Sequence, residues 1–477
     1  IPVVFITGQV ASPFIGYDAF QETDVTGIAL PITKHNYLIS NVNDIAPTIR
    51  DAFFIAGSGR PGPVLIDITK DAQQAEIEWE YDDAPAHLAG YRPDLRPAKT
   101  DLDRAVEMIQ NAKKPLILAG HGILISGASN EVLEFAERTQ TPVASTLLGL
   151  SAFPGSHDLS LGMMGMHGEA WVNQAIQEAD LLLAFGMRFD DRVTGKTSHF
   201  APKSKKIHFE IDPSEVNKNV QVDIALVGDL KETLQKILPS IKPADHSDWL
   251  NEVNVLKGDC AVRDIKNLPD NGHLYAAHVI NALWQVTKGD AIIASDVGQN
   301  QMWAAQYYRH DKPNTAITSG GLGTMGFGLP SGIGAKFAQP DKEVWVTVGD
   351  GGFQMTQAEL STIAQEDIKI NIAILNNGYL GMVRQWQEFF YDKRYSATPM
   401  KSPDFLKIAE AHGLKGIRVT SRDQVESAIE EARNSPGTVL IEFKVEKEDS
   451  VYPMVPSGAA IDAMIRRPMP EPAAQKS

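Results

Sequence analysis

Short apolar runs, rich in β-branched residues and ending in Gly, Asn or Asp, alternate along this chain with stretches whose apolar positions recur every three or four residues. "PVVFIT", "PVLIDI", "PLILAG", "PVAST", "DLLLAFG", "KIHFEID" and "IALVG" read as strands, and so do "AIIASD", "TAITS", "VWVTVG", "INIAILN", "KGIRV" and "TVLIEFKV". Runs this continuous fit parallel strands buried on both faces. Between them the spacing predicts helices, one over 45–56 and one over 101–112 with Leu102, Ala105, Val106 and Ile109 on a single face. The alternation predicts an α/β protein built on parallel sheets.

Punctuation divides the chain into three blocks, 1–75, 99–245 and 272–445. Residues 76–98 turn from acidic to Pro-rich without periodicity and read as a linker, and the polar and charged stretch 246–271 reads as a second. Residues 446–477 read as an ordered tail grading into a frayed end. No repeat of solenoid period is present. The chain opens inside a strand, "IPVVFITGQV", which suggests a fragment, and no signal peptide is visible.

Composition narrows the partners. A net charge of −16 disfavours nucleic acid, so an anionic ligand must be held by a few placed cations or backbone amides. No apolar run reaches the roughly 20 residues of a membrane span. Cys260 is the only cysteine, which leaves no intrachain disulfide and no thiolate metal site.

The candidate chemistry begins at "VGDGGF", 348–353, where a strand ends on Asp350 between glycines in what reads as a loop. After the 24 residues 352–375 a second strand ends in Asn376-Asn377. Ligands of open parallel sheets bind at the carboxyl ends of strands. Glycines there allow a diphosphate to approach the backbone, and a carboxylate beside phosphate calls for a bridging Mg²⁺. A lone Gly-Asp-Gly is more often a capped turn, but the paired Asn-Asn shifts the balance. In the middle block "LILAGHG" followed later by Asp212 at the end of "IHFEID" suggests a nucleotide site, FAD or NAD alike; a helix N-cap is the plainer role of Asp212.

These two strand ends resemble the thiamin diphosphate fingerprint. "SGGLGTMGFGLPSGIGAK", "GQNQMWAAQYY", "NNGYLGMVRQWQEFFYDKRYS", "SGRPGPVLIDITKD", "GQVASPFIGYDAFQET", "GMRFDDRVTGK" and "VYPMVPSGA" narrow the resemblance. Together they resemble the catalytic large-subunit family of acetolactate synthase (acetohydroxyacid synthase), over nearly the whole chain. The resemblance implies three α/β domains of the thiamin diphosphate-binding fold. These are a pyrimidine-binding domain present only as its carboxy-terminal part in 1–75, a central Rossmann-like FAD domain in 99–245 and a diphosphate- and Mg²⁺-binding domain in 272–445.

By that resemblance Asp350, Asn377 and the Tyr379 carbonyl ligate Mg²⁺. Gln299, Asn300, Gly351, Gly352, Met325 and Met382 contact thiamin diphosphate, with Met325 as the wedge that bends it; a gap-filling Met is the plainer alternative. Asn300 stands where many members carry His, and it is expected still to donate to phosphate. Arg60, Gly120, His167, Gly168, Gly186, Arg188, Asp212 and Asp229 would surround FAD. Arg192 and Trp386 would hold and size the second substrate, although Arg192 beside Asp190 and Asp191 otherwise reads as a surface ion cluster. Gly8, Phe20, Gln21 and Lys70 would line the reaction pocket from the first domain of a second copy.

The implied reaction decarboxylates pyruvate and joins the remaining two-carbon unit to pyruvate or 2-oxobutyrate, giving 2-acetolactate or 2-aceto-2-hydroxybutyrate for branched-chain amino-acid synthesis. FAD would be structural. A homodimer or homotetramer is implied, with a small regulatory subunit as a further partner. Cytoplasmic location follows for a bacterial or archaeal source, with organellar targeting left open. The glutamate that activates the cofactor is expected upstream of Ile1, since Glu22 sits in the acceptor loop. Rival readings are a glyoxylate carboligase or pyruvate oxidase of the same architecture, a non-catalytic flavoprotein subunit, and a nicotinamide dehydrogenase resting only on "GHG" and Asp212.

Overall fold

The computed structural model describes residues 1–78, 86, 88–261 and 263–468. Part of the expected 76–98 linker and the end of the tail lie outside the described residues. The chain divides into two units: 1–96 with 211–213 and 227–229, and the remainder.

The first unit is built on three parallel strands in the order β1 (Val3–Gln9), β3 (Pro63–Thr69), β2 (His35–Ile39). Val64 in the middle strand faces Val4 on one side and His35 on the other. Helix α1 (Ile45–Gly57) covers the sheet through Ala52, Ile55 and Ala56, which are buried with Val64, Ile66 and Ile68. The edge strand β1 shows Val3, Phe5 and Ile6 to solvent. Strand β2 is absent from the sequence expectation because "HNYLI" buries only Ile39 fully and begins polar.

The second unit carries two six-stranded sheets, each with all its registered pairs parallel. One runs β6 (Ser160–Met163), β5 (Val143–Ser145), β4 (Pro115–Ala119), β7 (Leu181–Phe185), β8 (Lys205–Glu210), β9 (Ile224–Val227). Its sequence expectation lacked β6, a four-residue edge strand with glycine inside it. The other runs β11 (Ala316–Thr318), β10 (Ile292–Ser295), β12 (Val344–Gly349), β13 (Asn371–Asn376), β15 (Val439–Lys444), β14 (Lys415–Val419). Chain order reverses between β4 and β7 in the first sheet and between β10 and β12 in the second. Each reversal opens a crevice at the strands' carboxyl ends.

The helices that position the site are α2 (Ala170–Glu178), α3 (Ser247–Ala261), α4 (Gln299–Tyr307), α5 (Gly328–Ala338), α6 (Asp350–Thr356) and α7 (Gly381–Phe390). Two corrections follow. The 246–271 stretch is not a bare linker: α3 packs against α2, with Trp249 and Val253 buried and the Trp249 indole N–H donating to the Pro115 carbonyl at 3.0 Å. Burying those two side chains contributes about 2 kcal/mol each, enough to hold a helix whose own sequence is mixed. And Asp350 lies in the first turn of α6, not in a loop, with Gly349 as its extended N-cap residue. A carboxylate in a first helical turn is favoured by the helix dipole.

Candidate functional site

The strand ends of β10, β12 and β13 converge at the second sheet's crevice. Glycines are required there by close approach. A Cβ on Gly352 would lie 2.4 Å from Asp296 Oδ1, and one on Gly351 would lie 2.8 Å from Leu380 Cδ2. Asp296, fully buried after β10, accepts from the backbone N–H of Val297 (2.7 Å), Gly326 (3.1 Å) and Gly328 (2.7 Å). It therefore clamps the turn that carries Met325 into α5. Burial raises its pKa, against those three bonds.

Asp350 is buried, takes a hydrogen bond from Ser402 Oγ at 2.8 Å, and makes no ion pair among the described residues. Burial pushes its pKa up to about 6, opposed by the Ser402 hydroxyl. A desolvated carboxylate that makes no ion pair, with only the charge of Lys444 acting on it from further off, fits a site for a divalent cation. On β13, Asn376 donates to the buried Glu442 (2.7 Å) and accepts from Gly378 N–H (3.0 Å), which shapes the following turn. In that turn Asn377 accepts from Tyr379 N–H (3.1 Å) and donates to Gln299 Oε1 (3.1 Å), so the ends of β13 and β10 are tied across β12.

Gln299, Asn300, Asp350, Gly351, Gly352, Asn377 and Tyr379 thus stand around one crevice, with Met325 held beside it by Asp296. Asn300 Nδ2 donates to the backbone carbonyls of Asp296 (2.9 Å) and Thr347 (3.3 Å). Met382 and Trp386 lie on α7, half-buried, with the Trp386 ring 5.1 Å from that of Phe390. Sequence reasoning missed Asp296, Ser402 and Gln385. Gln385, fully buried, accepts from Gln299 Nε2 (2.9 Å) and Val451 N–H (2.7 Å). An uncharged amide on the buried face of an amphipathic helix was the signal available for it.

The first sheet's crevice is closed by backbone. A Cβ on Gly120, after β4, would sit 2.2 Å from the carbonyl oxygen of Gly186, after β7, and Gly186 has φ +58°. Flush glycines at a switch point, with Arg188 exposed beside them, fit a dinucleotide crossing the strand ends. His167 and Gly168 follow β6. The His167 ring is buried, which lowers its pKa to about 4. Arg192 lies near it: Nη1 approaches Met166 Sδ at 3.2 Å and Nε lies 3.5 Å from Asp191, while Arg188 lies 3.6 Å from Asp190. The ion cluster expected on plain grounds is therefore present, with the Arg192 head still largely exposed.

In the first unit Gly8 lies at the end of β1, opposite Ile68, and Lys70 opens a short helix after β3. Phe20 is 89% exposed and Gln21 has φ +63°. Glu22 accepts from the N–H groups of Gly16 and Ala19, which lower its pKa, so this carboxylate caps its own loop. Arg60 Nη1 lies 3.2 Å from Asp212 Oδ2, and Asp229 follows β9. Among the described residues no three His, Cys, Asp or Glu side chains form a metal cluster, and no helix is long and apolar enough to cross a membrane.

Two family profiles match the chain. One is described as the thiamine pyrophosphate enzyme C-terminal TPP binding domain, over residues 296–443, and the other as the thiamine pyrophosphate enzyme central domain, over 102–237. The chain is 46% identical to the acetolactate synthase large subunit of Corynebacterium glutamicum, covering 96% of this chain and 75% of that protein. It is 42% identical to the probable acetolactate synthase large subunit of Methanocaldococcus jannaschii (100% and 82%). It is 44% identical to the chloroplastic acetolactate synthase 2 of Nicotiana tabacum (98% and 72%).

Proposed function

This chain belongs to the acetolactate synthase large-subunit family, a thiamin diphosphate-dependent enzyme family, and from that premise we propose the roles of its residues. The activity is the joining of two 2-oxo acids with loss of carbon dioxide, with thiamin diphosphate, Mg²⁺ and FAD as cofactors. Thiamin diphosphate, when bound, supplies the nucleophilic carbon on which pyruvate loses its carboxylate.

The observation that carries the site assignment is Asp350: a buried carboxylate that makes no ion pair among the described residues, tied by sequence to Asn377 at the next strand end. Asp350, Asn377 and the Tyr379 carbonyl would hold Mg²⁺. Gly351 and Gly352 give room for the diphosphate, and Gln299 holds Asn377 in place. Asn300, bonded to the Asp296 and Thr347 carbonyls, acts in this reading as a strut under the crevice. Asp296 sets the turn of Met325 against which the cofactor bends. Gly120, His167, Gly168, Gly186, Arg188, Asp212, Asp229 and Arg60 would line FAD.

Arg192 would grip the carboxylate of the second 2-oxo acid, for which an exposed guanidinium with a partial acidic neighbour is suited. Trp386 would size its alkyl group, so pyruvate and 2-oxobutyrate are the proposed pair. Gly8, Phe20, Gln21 and Lys70 would serve the pocket of a second copy. The solvent-facing apolar residues of the first unit support a homodimer or homotetramer. A small regulatory subunit remains part of the same reading.

The test is product analysis on protein expressed from its complete reading frame, with the three cofactors and pyruvate. Acetolactate, seen as acetoin only after acid treatment, is the expected product; acetaldehyde, or acetate with peroxide, overturns the roles of Arg192 and Trp386. Asp350→Ala should abolish metal-dependent thiamin diphosphate binding and leave flavin bound, and loss of both would instead mark a folding defect.

A further inference from the structure

A cavity of about 990 Å³ lies in the second unit. It is bounded by β6 at the sheet's edge, the start of α2, the last turns of α3, the carboxyl end of α4 and the tail at Arg466–Arg467. That volume suits an organic molecule of nucleotide size.

Its charge runs against the chain's. Lys257, Arg263, Lys266, Arg309, Arg466 and Arg467 line it against four carboxylates, in a protein of net charge −16. Lys266 is engaged with Asp264 at 3.5 Å and Arg467 with Asp449 at 2.8 Å. Among the described residues Lys257 and Arg466 make no side-chain hydrogen bond or ion pair, while the Arg309 guanidinium stacks on Trp284. Trp171, Tyr307 and Tyr452 add aromatic rings to the wall, with Lys266 5.3 Å from the Tyr307 ring and Arg467 5.1 Å from that of Tyr452. Glu169, half-buried and opening onto the cavity, has no side-chain partner among the described residues. Its carboxyl is enclosed deeply enough that burial, reinforced by Asp264, pushes its pKa up to about 8, so near neutrality it is mostly an uncharged donor.

The cavity also shares its walls with the sites described above. Helix α4 starts with Gln299 and Asn300 at the diphosphate crevice and ends at Tyr307 on the cavity, nine residues or about 13 Å away. Gln306, on the wall, donates to the carbonyls of His167 (2.8 Å) and Tyr452 (3.1 Å).

We infer that this cavity binds a small organic anion with a flat ring, its acid group held by Lys257 and Arg466 and its ring against the wall that includes Trp171 and Tyr307. An occupant would lie against α4 and the Gln306 side chain that reaches the His167 carbonyl.

Cys260 lines the cavity and is the only cysteine of this sequence, and with a Cys260→Ser variant as the background it serves as a reporter. The full protein with its cofactors is treated with 5,5′-dithiobis(2-nitrobenzoate), a dianion carrying two flat rings, or with neutral 4,4′-dithiodipyridine. In either case the Cys260 thiolate attacks the reagent's disulfide and forms a mixed disulfide, releasing 2-nitro-5-thiobenzoate from the first reagent or, after protonation at nitrogen, pyridine-4-thione from the second, each read by its absorbance. The anionic reagent should show saturating kinetics. Its rate relative to the neutral one should exceed the same ratio on glutathione by at least about tenfold, as a cationic cleft concentrates an anion. Lys257→Gln with Arg466→Gln should lower the ratio at least about threefold toward that of glutathione, the neutral rate correcting for any change in the thiolate fraction of Cys260. The single Lys257→Gln, at an exposed position, gives the same reading where the pair disturbs packing.

Protection of Cys260 from the neutral reagent by 4-nitrobenzoate or by 4-nitrophenyl phosphate identifies the acid as carboxylate or phosphate. Three results overturn the inference: a linear anionic rate at or below the glutathione ratio, protection by neither compound, or no labelling by either reagent until the protein is unfolded.

Discussion

Replacing Asp296 by Asn tests the architecture of the diphosphate crevice without changing a cofactor ligand. Asp296 Oδ1 serves the amides of Val297 and Gly326, and Oδ2 serves Gly328 alone. Asn keeps the volume and one oxygen, so the Oδ1 bonds survive in weaker, uncharged form. At the other position an NH₂ group faces the Gly328 N–H, donor against donor. One charge-assisted bond is lost and a buried N–H is left unpaired, at about 2–4 kcal/mol. Removing a buried charge returns part of that, since burial disfavours the ionised form here. The net is about 2 kcal/mol, a factor of roughly 30 in the opening equilibrium of the 325–328 turn. Native-state hydrogen exchange reads this directly. The amides of Gly326 and Gly328 should exchange about 30-fold faster, with first-unit amides unaffected and thiamin diphosphate bound more weakly. Exchange within about threefold of the parent protein would refute the clamp and return Asp296 to the role of an ordinary buried carboxyl.

Other expectations follow from the same geometry. Gly120→Ala places a Cβ 2.2 Å from the Gly186 oxygen and should cost about 3 kcal/mol, lowering the thermal midpoint and releasing flavin; an unchanged midpoint with full flavin content contradicts the close approach. His310 is buried with its pKa lowered to about 3, by desolvation. Its folded pKa lies below the unfolded 6.5, so its contribution is complete above pH 6.5 and is lost as the pH falls from there toward 3. At pH 5 the loss is about 2 kcal/mol, and His310→Phe should flatten the stability difference between pH 7 and pH 5 by that amount; an identical slope rejects it. Trp386→Leu should lower the share of the 2-oxobutyrate product in a mixed-substrate assay, and an unchanged ratio removes Trp386 from that role.

The strands most legible in this sequence are those buried on both faces. β4 and β7 are unbroken apolar runs, and β12 and β13 nearly so, because helices cover both sides of their sheets. β1, β11 and β14, though at sheet edges, are legible from their β-branched runs, whereas β2 and β6 offer no such run. Helix α3 was hidden for the opposite reason: its mixed composition has little periodicity, and only tertiary contacts through Trp249 and Val253 declare it. At the crevice, the residues legible in advance were those fixed by close backbone approach or by charge at a strand end, such as Gly351, Gly352 and Asp350. Asp296, Ser402 and Gln385 act by bonding to other groups of the protein, and a pairing across dozens of residues leaves no local spacing. Asn300 shows the same limit from the other side, since which way its amide points is decided by the Asp296 and Thr347 carbonyls.

The meeting of Gly120 and Gly186 reaches beyond the ligand to how the sequence can drift. A Cβ on either residue runs into main chain of the other loop, the Gly186 oxygen in one case and the Gly122 Cα at 2.5 Å in the other. Main chain cannot be trimmed by a second substitution, so neither glycine can be exchanged and then rescued by changing its neighbour. The two positions therefore vary as one unit, although they lie in different loops.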